Sequence, residues 1–435
     1  MKSIVAGLGR VVYSLIILLL SVIASRIFSI EWYSFFKEFF MYFFIGITVS
    51  GIPATSPIFY FTNRNFISYI KTIIISLISL IIVFVMLFIF KRSDALIPAF
   101  ILSISSVLFL SLESLLLSKH KMKNVFSLNI LEAASILLPI LFVFQVRNSP
   151  DVFFILLTSI SIVKILIYFL LLSKVLEEDR EKYDFKKIFS YSLPLHLNGL
   201  FGAFSKQTDK YVVSILCSTG SFAEYATGAF EVPLISRFFG GVFHEKGDSI
   251  RQMILSKKNE NVRRILSDIF RKSFFLLSIL TLLLFINAKL IMNLLFTSEY
   301  SNSYRYFLIY LTALPLRVFP FGFLLSLKGK TGIVFIVSLI DAALTLSLSL
   351  ILLKIFGIVG PAFAFVISTM ISVFLLVLFM RDIFPFKIFT LRYLSLIMIL
   401  VPSFYFSYIL KKPTQTNIIL LTLIPLEFII RKIKK

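Results

Sequence analysis

Thirteen charged side chains interrupt stretches of sequence that are otherwise apolar, and they have the most chemistry to offer. Toward the N-terminal side, over the first six spans, they are Arg26, Glu113, Glu132 and Lys164; over the later spans they are Lys206, Asp209, Lys210, Glu224, Glu231, Arg237, Lys289, Arg317 and Asp341. A charge at the centre of a bilayer costs about 2.5–3.5 kcal/mol on insertion scales, so each should face a cavity or a partner. Lys206, Asp209 and Lys210 recur at spacings of three and four and therefore share one side of a helix. Two cations around one carboxylate leave a positive patch that suits a pyrophosphate; the same trio also works as a self-neutralising cluster that lets a polar helix insert. Glu231 and Arg237 lie six apart and point to different neighbours. Arg317 sits between Pro315 and Pro320, where proline frees backbone carbonyls, so both capping and cavity-lining roles are open to it. Asp341 has no charged neighbour on its own helix and is placed either to carry a coupling proton or to pair with Arg317. Arg26, near the outer end of its helix, can snorkel to the headgroups. Glu113 and Glu132 are expected toward cytoplasmic helix ends, where solvent would accommodate them.

Enzyme constellations are missing from this sequence. His120, His196 and His244 have no metal-ligand spacing to one another or to Cys, Asp or Glu. Gly7-Leu8-Gly9 is too short for a phosphate loop, and no P-loop occurs, so ATP-driven transport by this chain alone has no support. The one cysteine, Cys217, cannot form an intrachain disulfide and reads as a small membrane residue. No metal or cofactor is expected, and the chain reads as a non-enzyme.

The elements that must position these charges follow from composition. Of 435 residues 58% are hydrophobic and 15% charged, against roughly 45–50% and 25% in soluble domains. With a mean hydropathy of +0.96, the chain belongs among membrane proteins. A spanning helix needs about 20 apolar residues. Cutting at polar breaks gives about 14 spans, starting near Val11, Phe35, Phe66, Ala95, Asn124, Val152, Phe189, Phe222, Lys272, Tyr304, Thr331, Val359, Ile388 and Asn417. The basic start and apolar run of the first 25 or so residues match a signal peptide in outline, but the run is long enough to span and is read as an uncleaved first helix.

The net charge of +22 would point to nucleic acid in a soluble protein. Here, with a cytoplasmic N-terminus, roughly 29 of the 44 basic residues fall in the cytoplasmic connections and tail and roughly 7 on the opposite face. Both termini are thus expected in the cytoplasm. The longest connections are cytoplasmic as well, and the external ones are short. One connection, 174–187, separates six helices from eight. The other contains Val262, Ile265, Leu266, Ile269 and Phe270 in one stripe, with Arg263, Arg264 and Asp268 elsewhere around the turn; it is expected to form an amphipathic helix lying on the inner leaflet. The expected architecture is all-α: an N-lobe over 1–180, a C-lobe over 181–385, a cavity between the two six-helix lobes, and two further helices with a basic tail over 386–435.

Four ordered stretches resemble a known family, the polysaccharide (O-antigen type) flippases of the multidrug/oligosaccharidyl-lipid/polysaccharide exporter superfamily. The first is Ala24-Ser25-Arg26-Ile27 followed by Glu31-Trp32-Tyr33, with Ser34 where glycine is usual. The second is Tyr191-Ser192-Leu193-Pro194, then Thr208-Asp209-Lys210-Tyr211 and Ala223-Glu224-Tyr225-Ala226, with Ala223 in place of the usual glycine. The third joins Phe296-Thr297-Ser298-Glu299-Tyr300 to Ala313-Leu314-Pro315-Leu316-Arg317. The fourth is Phe356-Gly357-Ile358-Val359-Gly360-Pro361-Ala362-Phe363-Ala364. Their order fits over almost the whole chain.

The resemblance implies alternating access, and export of an undecaprenyl-diphosphate-linked oligosaccharide from the cytoplasmic to the outer leaflet of the bacterial inner membrane. That places the chain in surface polysaccharide biosynthesis (O-antigen, lipopolysaccharide). It implies an ion gradient as the energy source, proton or sodium. On this reading Lys206, Lys210, Arg237, Arg317 and Arg26 are the candidate substrate contacts, and Asp209, Glu231 and Asp341 the candidate ion-coupling groups. Membrane lipid is a partner, and a polysaccharide polymerase and chain-length regulator are candidate protein partners. An ion-coupled multidrug exporter of the same superfamily is the main alternative, but it calls for acids on helices one and seven. The first helix has Arg26 and no acid, and Asp209 is flanked by lysines. A membrane polysaccharide polymerase or ligase calls for a sizeable external loop, which the sequence lacks.

Overall fold

The computed structural model describes residues 2–51, 66–91, 93–118, 122–146, 150–176, 185–232, 250, 252–254, 256–317, 321–328 and 330–384. Among these no strand occurs. Long runs of Leu, Ile, Val and Phe without breakers satisfy every backbone group within the segment, which is the condition for crossing lipid. The helices are α1 (Lys2–Ile27), α2 (Ile30–Gly46), α3 (Phe66–Phe90), α4 (Leu96–Ser118), α5 (Met122–Val146), α6 (Pro150–Leu176), α7 (Phe185–Leu216), α8 (Thr219–Gly228), α9 (Asn259–Ile286), α10 (Ala288–Leu295), α11 (Tyr304–Arg317), α12 (Phe321–Leu327), α13 (Thr331–Phe356) and α14 (Gly360–Leu378). Seven described helical segments are long and apolar enough to span a membrane. The expected starts near Ile388 and Asn417 lie outside the described residues.

The chain divides into two compact units, one of residues 1–226 and 338–350 and one of 227–337 and 351–435. In the first, α1 packs along α5, α4 packs on both α6 and α2, and α7 packs on α2 and α3. A five-residue π-helical turn, Ile47–Gly51, continues α2 and lies against α7. Gly46, just before it, is packed so closely that a Cβ there would come within 2.6 Å of Ser103 Oγ and 2.9 Å of Phe84. Aromatic rings fill the space between α2 and the start of α6, where Phe35 meets Phe154 edge-on at 4.8 Å and Phe36 meets Phe153 at 5.8 Å. The outward faces of α3 and α6 are strings of exposed Ile, Val, Leu and Phe, such as Ile82, Phe88, Ile89, Leu166 and Phe169; lipid accepts these side chains where water would not.

In the second unit α11 packs on α9 and α14, with Tyr310 stacked on Phe365 at 4.2 Å, and α12 packs on α14. Phe384 closes one end, edge-on to Phe270 at 5.3 Å and to Phe321 at 5.5 Å. Three expectations are revised here. The stripe at Val262, Leu266, Ile269 and Phe270 does not form a separate helix on a leaflet. It is the buried start of one unbroken 28-residue helix, α9. No Gly or Pro lies between Val262 and Ile286, so nothing halts the ladder of hydrogen bonds, and the stripe is used in packing. The eighth helix begins at Thr219 and its described helical part ends at Gly228, only 10 residues long. At Gly228 the backbone passes so close to Ser303 that a Cβ would lie 2.0 Å from its carbonyl oxygen. Glu113 and Glu132, expected near solvent, are 2% and 0% exposed.

Candidate functional site

Among the described residues of the first unit, the buried charges gather in three polar networks. The α7 trio is split by its surroundings. Lys206 is exposed, Lys210 half-buried and Asp209 fully buried, although all three lie on one side of the helix. Asp209 accepts a 2.6 Å hydrogen bond from the Tyr225 hydroxyl of α8, and Lys210 Nζ lies 3.8 Å from its other carboxylate oxygen. A cation and a hydroxyl thus hold the carboxylate, which is how a buried charge is made tolerable. Two turns of α7 are tied to α13. Asn198 Oδ1 accepts from Ser338 at 2.8 Å, and Ser205 donates a short hydrogen bond to Asp341. Asp341 is half-buried, and its second carboxylate oxygen has no hydrogen-bond partner among the described residues.

A second network joins α2, the end of α3 and the end of α7. Lys91 makes a 2.6 Å ion pair with Glu38 and donates to the carbonyl of Ser214 at 3.1 Å, while Tyr42 donates to Glu38 at 2.9 Å. Lys37, one residue before Glu38, lies 5.1 Å from the ring of Tyr33. Sequence reasoning missed both Lys37 and Glu38. The signal was present, two adjacent charges in a run of Phe and Tyr, but a start at Phe35 put them at the margin of a span instead of inside α2.

The third network lies between α4, α5 and α6. Lys164 reaches Glu132 at 3.0 Å and Ser135 at 3.1 Å, and Tyr168 donates to the same Glu132 oxygen at 2.7 Å. One turn away, Asn129 donates to Glu113 at 2.9 Å. Lys164 and Glu132 are 4% and 0% exposed, the most deeply buried ion pair among the described residues.

The remaining sequence candidates are placed apart from these. Arg26 is exposed at the end of α1. Glu231 is half-buried in the second unit, in non-helical chain just after α8, and lines a small cavity with Phe230, Tyr310, Leu311 and Leu314. Arg237 and the side chain of Arg317 lie outside the described residues; the backbone of Arg317 ends α11, with Pro315 inside the last turn. No group of three or more His, Cys, Asp or Glu side chains able to hold a metal ion occurs among the described residues.

Spanning helices with buried, mutually neutralised charges and an apolar exterior define an all-helical polytopic membrane protein. No known family profile matches the sequence, and no curated protein matches it. Solved structures do. The inward closed conformation of the lipid II flippase MurJ superposes with a TM-score of 0.64 at 17% identity, over 100% of this chain and 99% of that one. An inward-facing multidrug resistance MATE family transporter of the MOP superfamily superposes at 0.59 with 14% identity, over 85% of this chain and 94% of that one. A MATE protein in the straight conformation gives 0.58 and 13% over 87% and 94%. The chain has the fold that these transporters share.

Proposed function

We propose that this chain flips a lipid-linked saccharide, an undecaprenyl-diphosphate-linked oligosaccharide, from the cytoplasmic to the outer leaflet of a bacterial inner membrane by alternating access, for O-antigen or related surface polysaccharide. The observation that carries this reading is end-to-end likeness to a lipid-linked-substrate flippase, 100% of one chain on 99% of the other. The MATE structure covers 87% of this chain, less than the flippase does, and the segment 386–435 lies outside the described residues. We read that segment as two helices added to an N-lobe (1–180) and a C-lobe (181–385).

Lys206, Lys210, Arg237, Arg317 and Arg26 are the proposed contacts for the diphosphate, whose charge needs cations in a water-poor cavity. Asp209, Glu231 and Asp341 are the proposed coupling groups for a proton or sodium gradient. Polymerase and chain-length regulator contacts belong to the same proposal. A drug exporter, the second reading, needs a carboxylate open to a cationic drug; Asp209 is engaged by Tyr225 and Lys210, which favours the flippase.

The test is the purified protein in liposomes with a fluorescent undecaprenyl-diphosphate oligosaccharide, its outer-leaflet fraction read with an impermeant quencher. Protein-dependent loss of asymmetry is expected, falling at least tenfold in a folded Lys206→Ala/Lys210→Ala double variant. Full activity in that variant removes the lysine assignment, and movement of a cationic dye in place of the lipid hands the function to the drug-exporter reading.

A further inference from the structure

The first four turns of α9 carry cations that the packing of the helix leaves outward. Val262, Leu266, Ile269 and Phe270 are buried, so the apolar stripe is not available to a membrane surface. Arg263, Arg264 and Arg271 are exposed on the other side. At 100° per residue Arg264 and Arg271, seven apart, fall within about 20° of each other, and Arg263 lies within about 100° of both. Lys272 is paired with Asp268 at 2.8 Å, whereas Arg263, Arg264 and Arg271 make no ion pair among the described residues.

Lengths give a depth for this face once one boundary is set. The uncharged stretch of α9 runs from 273 to 286, 14 residues, or about 21 Å. The hydrocarbon core is about 30 Å thick. With Ile286 placed at the far edge of that core, Arg271 falls inside the apolar layer and reaches the boundary with its long stem, while Arg263, eight residues or about 12 Å further along, falls at or beyond the headgroups. In that placement the three guanidiniums bracket the headgroup layer.

We propose that this face of α9 is a binding surface for the phosphate headgroups of anionic phospholipids. Guanidinium forks match phosphate oxygens in pairs, and juxtamembrane cations bind anionic leaflets with an affinity that salt weakens. The proposed occupant is lipid and not a soluble anion, because in this placement the helix axis carries the cations across the depth at which lipid phosphates sit. The surface is independent of the cargo and stands or falls separately from the flippase reading.

The experiment uses the full chain in detergent, incubated with equal amounts of phosphatidylglycerol and phosphatidylcholine, repurified, and analysed for bound lipid. The wild type is expected to enrich phosphatidylglycerol, and the enrichment should fall about fivefold per charge removed, on the order of a hundredfold for Arg263→Gln/Arg264→Gln/Arg271→Gln. The corresponding triple Lys variant should keep most of it. Should the Gln variant fail to fold, the wild type still decides: its enrichment must drop between about 50 mM and about 500 mM salt. Equal enrichment in wild type and Gln variant, loss in the Lys variant as well, or salt-independent enrichment overturns the proposal. An acidic protein that copurifies with the wild type and not with the Gln variant, while phosphatidylglycerol is unchanged, makes the face a protein-docking surface and overturns it too.

Discussion

Glu132 and Lys164 show why burial of a single side chain matters more than its charge. The pair is 0% and 4% exposed, and removing one partner leaves the other charge without compensation in a low-dielectric interior. Glu132→Gln or Lys164→Met alone is expected to cost about 3–5 kcal/mol, whereas the double variant should return near wild-type stability. Thermal unfolding in detergent checks this; single variants that melt with the wild type would mean the pair contributes nothing. Both residues were legible in the sequence as charges inside apolar runs. Their partnership was not, because 32 positions separate them and only the packing of α5 on α6 brings them to 3.0 Å. The same holds for Asp209 and Asp341: the sequence marked each one, but Tyr225 and Ser205 emerge as partners only once α7 meets α8 and α13.

Helix ends and close approaches are decided at the scale of elements. A Cβ at Gly228 would lie 2.0 Å from the Ser303 carbonyl oxygen, and one at Gly360 would lie 2.1 Å from that of Leu352, both backbone atoms that cannot step aside. Nothing lies within 4 Å of a Cβ at Gly202, inside α7. Gly228→Ala and Gly360→Ala should therefore lower the melting temperature, while Gly202→Ala should be neutral or gain about 0.5–1 kcal/mol; the opposite order would discount the close packing. Beyond the end of α14, Lys328 donates to both carboxylate oxygens of Asp382, one at 2.8 Å. Burial pushes the Asp382 carboxyl up, but the hydrogen bond and charge of Lys328 outweigh it and hold the carboxyl below the usual carboxylate range. A depressed folded-state value contributes stability above the unfolded value, about 3.9, and loses it as pH falls through the folded one. The melting temperature of Asp382→Asn should thus lie below wild type at neutral pH, and the two should converge below about pH 4. A gap that persists in acid would exclude the ionised carboxylate as its source.

For the whole molecule, orientation in the membrane is the expectation most open to a direct test. Cys217 lies in the turn between α7 and α8 and is the one cysteine of the chain. Burial raises its thiol above the ordinary value, so maleimide labelling should be slow near neutral pH and quicken as pH rises. With a cytoplasmic N-terminus this turn is external, so a membrane-impermeant maleimide should label intact cells; labelling only after permeabilisation would invert the topology. The sequence by itself determined the all-helical membrane class, the approximate starts of α3 to α7 and the sites of intramembrane charge other than Lys37 and Glu38. Run length, hydropathy and the cost of a buried charge are local properties that need no partner. The tertiary structure decided which charges neutralise one another, that the stripe of α9 faces its own unit, and that the chain follows one flippase structure from end to end. Those depend on which helix faces which, and a helix carrying apolar residues all round does not declare its neighbours.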